Sequence, residues 1–172
     1  NVEIKVTGTS TVRDWEINCT KAEGSASFVI ENKLLVNVPA AVISIYGENL
    51  KSGNETMDKH AYTALKTNQY PEIRFILKEI KGLVWVNNMV TFTTMGDLVV
   101  AGTPQSIAMN VTGKMKEKGT SFSGNAFLKM TDFNIEPPVF MGGILKTDNE
   151  IDIHFESFFN YLTSSDYEKS FD

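Results

Sequence analysis

The chain has 172 residues, 42% of them hydrophobic, and a net charge of −5, which suits one domain with a sizeable core. No Lys/Arg cluster interleaved with aromatics stands out, which argues against a nucleic-acid partner, and no apolar run approaches the roughly 18 residues of a membrane helix. Cys19 is the sole cysteine, so no internal disulfide can form.

Val2, Ile4 and Val6 alternate with charged residues and predict a half-buried strand ending near Gly8. Thr9 to Ile17 reads as a second extended piece anchored by Trp15. From Ala22 to Ile30 the even positions are apolar or small and the odd ones mostly polar. Lys33 to Tyr46 continues in extended form, with Pro39 expected at an edge, bulge or break because it has no ladder donor. Glu72 to Ile80, Leu83 to Val86, Met89 to Thr94 and Asp97 to Ala101 follow as extended segments, with Asn87-Asn88 as a hairpin turn. Ser106 to Met115, Ser121 to Asp132 and Glu150 to Phe159 complete the strands. Thr163 to Asp172 reads as a polar, frayed tail, giving a domain over 1–160 and a tail over 161–172.

The alternation fails once, from Asn54 to Leu77. Asn54 is expected to cap a helix, with Glu55 and Asp58 at the positive end of its dipole. Met57, Ala61, Ala64 and Leu65 fall on one face. Asn68 reads as a left-handed stop, and Tyr70-Pro71 forces an extended exit. The fold class is therefore all-β: an antiparallel sheet of about eight strands that closes into a barrel or doubles into a sandwich, with one inserted helix.

Catalytic chemistry is sparse. His60 and His154 lie on different elements without metal spacing and read as surface residues. Cys19 reads as a buried small hydrophobe, and Asp132 and Asp148 as turn or cap residues. No phosphate loop, nucleophile elbow or dinucleotide fingerprint occurs. The triplets starting at Asn18, Asn54 and Asn110 match a glycosylation acceptor at a density that chance explains.

Ordered motifs then line up along nearly the whole chain. They are Gly8-Thr9-Ser10-Thr11 with Asp14-Trp15, Leu50-Lys51-Ser52-Gly53, Met57-Asp58-Lys59 and Ala64-Leu65-Lys66. They continue with Tyr70-Pro71-Glu72-Ile73, Gly96-Asp97-Leu98, Ala101-Gly102-Thr103, Met130 to Ile135 with Pro137-Pro138, and Ile144 to Glu150. On these the chain resembles the YceI-like family of exported bacterial proteins, in the form found in Bacteroidetes. Arg13 stands where many relatives carry His, and Asn134 where Gly is common. The resemblance implies an eight-stranded lipocalin-like barrel with the helix near one mouth. It further implies an apolar tunnel for a polyisoprenoid, either an isoprenoid quinone or a polyprenyl phosphate. A periplasmic or secreted location, possible homodimerisation, no metal and no cofactor complete that expectation.

Strand parity, with the helix face for Met57 and Leu65, nominates the tunnel lining: Phe28, Val36, Val38, Met57, Leu65, Phe75, Leu77, Val90, Phe92, Leu98, Val100, Met109, Val111, Phe122, Leu128, Met130, Ile153 and Phe155. The alternative is that these side chains fill the barrel themselves and the protein is a structural or stress-response interaction module. Gly24, Ala26, Gly113, Gly124 and Ala126, with seven methionines, favour unfilled, adaptable space. Lys51, Lys59, Lys66 and Arg74 are candidate head-group contacts, or simply a solvated face. A lipid-modifying enzyme would need an inward polar cluster, and Asp132 is the main candidate for one.

Overall fold

The computed structural model describes residues 2–19 and 21–160. The expected tail over 161–172 lies outside them. Ten strands and one α-helix follow in order: β1 (Val2–Ser10), β2 (Trp15–Cys19), β3 (Ala22–Glu31), β4 (Leu34–Tyr46), α1 (Glu55–Leu65), β5 (Glu72–Val86), β6 (Met89–Val100), β7 (Thr103–Lys116), β8 (Gly119–Lys129), β9 (Val139–Phe140) and β10 (Leu145–Asn160). Short 3-10 turns at Gly47–Asn49, Met130–Phe133 and Met141–Gly143 connect them.

All pairings are antiparallel, and they form one curled sheet in the order β2-β1-β10-β8-β7-β6-β5-β4-β3, with β9 beside β10. The count exceeds the expected eight for two reasons. β9 is a two-residue strand. β2 and β3 are consecutive pieces separated by residues 20 and 21, the first pairing with β1 and the second with β4. That change of partner brings the two ends of the curled sheet together. A Cβ placed on Gly24 of β3 would sit 3.4 Å from Val2 Cγ2 of β1.

Turn chemistry explains most boundaries. Asn32 and Lys33 both take positive φ and turn β3 into β4, so β4 starts one residue later than expected. Asn87 has φ 57° between β5 and β6, as its short polar side chain allows. Ala101 and Gly102 turn β6 into β7, which therefore begins at Thr103 rather than after Gln105. Pro39 lies in the part of β4 that has no β5 partner. The register slips of β3 against β4 after Ser27 also correct the inward set there. Leu35 and Val38 are buried, whereas Val36 is 38% exposed and points out.

Gly113 and Gly124 on the inner face are filled by rings rather than left open, contrary to expectation, while Gly24 faces the aliphatic Val2 and Ile43. A Cβ on Gly113 would lie 2.7 Å from the Phe122 ring, and one on Gly124 2.7 Å from the Phe155 ring. Phe28 stacks on Phe122 with centroids 5.6 Å apart, and Phe159 meets both rings edge-on. Gly96 of β6 is tighter than either glycine, since its Cβ would stand 2.6 Å from the Ile76 carbonyl as well as against the Phe75 ring. Backbone cannot give way as a side-chain tip can. Gly96→Ala should therefore cost about 1–3 kcal/mol, read as a lowered denaturation midpoint with an unchanged slope in urea.

Candidate functional site

The helix crosses the barrel end where β1, β4, β6 and β8 finish and β5 and β10 begin. Asn54 caps it as expected, its Oδ1 accepting from Met57 N at 3.0 Å. The stop is Lys66 and not Asn68. Lys66 takes φ 55°, and its N–H bonds the Thr63 carbonyl while Thr67 N–H reaches Tyr62 O. Two side chains tie the helix to the preceding loop. Asp58 is 8% exposed and accepts from Ser52 N at 2.8 Å and Ser52 Oγ at 2.6 Å, both on Oδ1. The Tyr62 hydroxyl bonds the Glu48 and Leu50 carbonyls and accepts from Lys51 Nζ at 2.6 Å. Tyr62 thus serves as an anchor and does not face the opening.

Beneath α1 lies a cavity of about 810 Å³. Met57, His60, Ala61, Ala64 and Leu65 roof it at helical spacing. Its walls come from alternate residues of the strands: Ile4 and Val6, Trp15 and Ile17, Ile43 and Ile45, Ile73 and Phe75, Leu98 and Val100, Ile151 and Ile153. Leu128, Met130, Phe133, Ile135, Phe140 and Met141 close the side formed by the segment after β8. The volume falls in the upper part of the roughly 300–1,000 Å³ range of small-molecule sites.

The hollow ends at one level around the barrel. Leu128 lines it, and the next inward residue of β8, Ala126, does not. The same change falls between Ile153 and Phe155, between Phe75 and Leu77, and between Ile43 and Ala41. The other half of the barrel is solid. Of the eighteen nominated residues, Met57, Leu65, Phe75, Leu98, Val100, Leu128, Met130 and Ile153 line the cavity. Val38, Leu77, Val90, Phe92, Val111 and Phe122 instead belong to the buried core, with Phe28 and Phe155 packed against it. Met109 packs there too, and Val36 lies outside. Filled barrel and open tunnel therefore each hold for one half. Parity identified the inward face but carried no information on depth along it. Of the seven methionines, Met57, Met130 and Met141 reach the cavity.

The expected basic contacts do not reach it. Lys51 is held by Tyr62, Lys66 Nζ points to the Asn134 carbonyl at 3.4 Å, and neither Lys59 nor Arg74 lines the hollow. Arg13 and His60 do line it, both exposed, with the His60 ring against Phe140 at 4.5 Å. His60 is thus a rim residue and not simply a surface one. The signal for Arg13 was its place between the turn at Ser10-Thr11 and Trp15, both Ser10 and Trp15 lining the same hollow. Asp132 does not face inward. It is exposed beside a separate, more polar groove of about 970 Å³ that also carries Asp14, Glu16, Glu150, Asp152 and the outward Phe127. The apolar space beneath α1 is the better binding site for an apolar ligand on chemical grounds, because its lining is far less polar. Among the described residues no three His, Cys, Asp or Glu side chains stand close enough to hold a metal. Cys19 is 1% exposed, and burial pushes its thiol pKa up, against reactivity.

The YceI-like domain profile matches residues 1–159. The chain belongs to the YceI-like family. Solved structures share the fold. BcnA of Burkholderia cenocepacia superposes with a TM-score of 0.73 at 16% identity, over 90% of this chain and 94% of that one. A polyisoprenoid binding domain from Saccharophagus degradans, implicated in plant cell wall breakdown, gives 0.70 at 12% identity over 94% of each chain. The Campylobacter jejuni YceI protein gives 0.69 at 18% identity over 86% and 85%. No curated protein sequence matches this YceI-like chain.

Burial alone would raise the Asp58 carboxyl, but the two Ser52 bonds and the Lys51 charge together hold it below its usual 3.8. A lowered native value means that its contribution is complete above 3.8 and is lost as pH falls through the native value. Asp58→Ala should cost about 1.5–3 kcal/mol, the usual worth of hydrogen bonds to a charged group. Amide exchange over residues 54–66 should rise in that variant at neutral pH and in the wild type only in acid. Equal exchange at both pH values would deny Asp58 this role.

Proposed function

We propose that this YceI-like protein binds and carries an amphiphilic lipid with a polyisoprenoid tail, without chemically altering it, in the periplasm or outside the cell. The observation that carries this reading is the half-open apolar cavity under α1, whose lining offers a tail about 25 cal/mol per Å² of surface removed from water. The description of the Saccharophagus degradans neighbour as polyisoprenoid binding supports the same ligand class. The absence of an inward nucleophile–base pair among the described residues supports carriage over turnover. An isoprenoid tail suits the site because branched methyls and Met57, Met130 and Met141 adapt to one another in an irregular space.

Native mass spectrometry of protein freshly purified from bacteria, followed by organic extraction, tests this reading. A bound mass that extracts as a prenyl lipid is expected. Protein that stays empty after incubation with prenyl lipids, though folded and exchange-competent, would remove the proposal. Ala61→Trp should abolish the bound mass while leaving the melting temperature near that of the wild type, because the indole enters space that is already hollow.

The flat end of the cavity sets a further expectation. Phe155 closes the hollow against the Gly124 backbone. Phe155→Val should lengthen the longest tail retained from a mixed-length polyprenol series, and an unchanged length profile would place the stop elsewhere.

A further inference from the structure

We infer that the rim of this cavity is a site for an oxyanion, with Arg13 and His60 gripping the phosphate or carboxylate head of an anionic lipid. The inference rests on the reading of the cavity as a lipid site and names the head group that reading leaves open.

Charge around the hollow is one-sided. Arg13 is the one formally charged side chain in the described lining, and no Asp or Glu joins it. This holds in a chain whose net charge is −5, so the rim departs from the molecule's overall balance. None of the four ion pairs found among the described residues, Lys5–Glu16, Lys78–Asp97, Lys81–Glu79 and His154–Glu156, involves Arg13. Its neighbour Asp14 borders the separate polar groove, and Asp58 on the helix spends its Oδ1 on Ser52.

The backbone that carries Arg13 is held in place. Ser10 Oγ donates to Arg13 O at 2.6 Å and accepts from Arg13 N at 3.2 Å. Thr11 Oγ1 donates to Ile144 O and accepts from Lys146 N, pinning the turn to the start of β10. A pinned backbone lowers the ordering cost of binding. A guanidinium offers a planar fork that meets two oxygens of one phosphate or carboxylate, which an ammonium cannot do.

His60 supplies a second ring N–H donor at the same rim, its imidazole oriented by Phe140. Asn54 also lines the cavity, and because its Oδ1 is committed to Met57 N its amide N–H₂ remains to donate. The rim therefore presents donors and positive charge to whatever head the buried tail leaves exposed. A neutral head such as a quinone or an alcohol leaves that charge without a counterpart.

Tail-matched probes decide the matter: geranylgeranyl phosphate, geranylgeranoic acid and geranylgeraniol, with inorganic phosphate alone as the tail-less arm, each titrated calorimetrically into the full chain. The two acids should bind roughly tenfold or more tightly than the alcohol, the gap should shrink with salt, and inorganic phosphate should bind far more weakly. Arg13→Gln should erase most of that gap while leaving affinity for the alcohol unchanged, and His60→Gln should reduce it in part. Circular dichroism confirms that each variant is folded. Equal affinity for alcohol and phosphate, or an Arg13→Gln loss shared equally by both, overturns the head-group site while leaving tail binding intact. Failure of all the prenyl probes to bind overturns both.

Discussion

The structure depends on how aromatic rings are accommodated over glycines inside a narrow barrel. A barrel of this size has room either for its own side chains or for one small guest. Phe122 over Gly113 and Phe155 over Gly124 use the missing Cβ atoms to lie close to the wall, and Phe28, Phe92 and Phe159 complete a solid half. Beyond that plug the wall is mostly aliphatic, with Ile4, Ile43, Leu98, Leu128, Ile151 and Ile153 joined by Trp15 and Phe75. The hollow begins where the cluster of Phe28, Phe92, Phe122 and Phe159 rings ends, at a nearly constant depth.

The helix roofs that hollow. Its apolar stripe covers the wide end, while Asp58 and Tyr62, on its other side, fix it to the loop that precedes it. These anchors are polar and local, whereas the contacts of Met57, Ala61, Ala64 and Leu65 with the barrel wall are apolar.

Alternation in the sequence was enough to assign the strands, the inward face and the Asn54 cap, because each is a local rule. The motifs from Gly8 to Glu150 led to the family. What local rules could not supply was depth. Ile73 and Leu77 share one face of β5, yet Leu77 lies in the buried core and Ile73 lines the hollow. Bulges were equally hidden: the slip between β3 and β4 turns Val36 outward and brings Leu35 in. Gly113 and Gly124 read as empty volume because the rings that fill it lie on neighbouring strands at positions that only the register reveals. Arg13 stood out only as a departure from the family pattern and not as a lining residue, because it sits in a turn, far in sequence from the helix.

Pairing of β1 with β10 joins segments about as far apart as the chain allows, Val2 with Ser157 and Gly8 with Ile151. The meander from β5 to β8 needs only neighbouring hairpins and can form early, whereas this ladder must wait for nearly the whole chain. Ile4, Val6, Ile151 and Ile153 are all wall residues of the hollow. During synthesis the solid half can therefore assemble around Phe92 and Phe122 while the guest compartment is still missing two of its staves. The hollow is thus complete only once translation has passed the final strand, and a nascent or truncated chain lacks part of its wall.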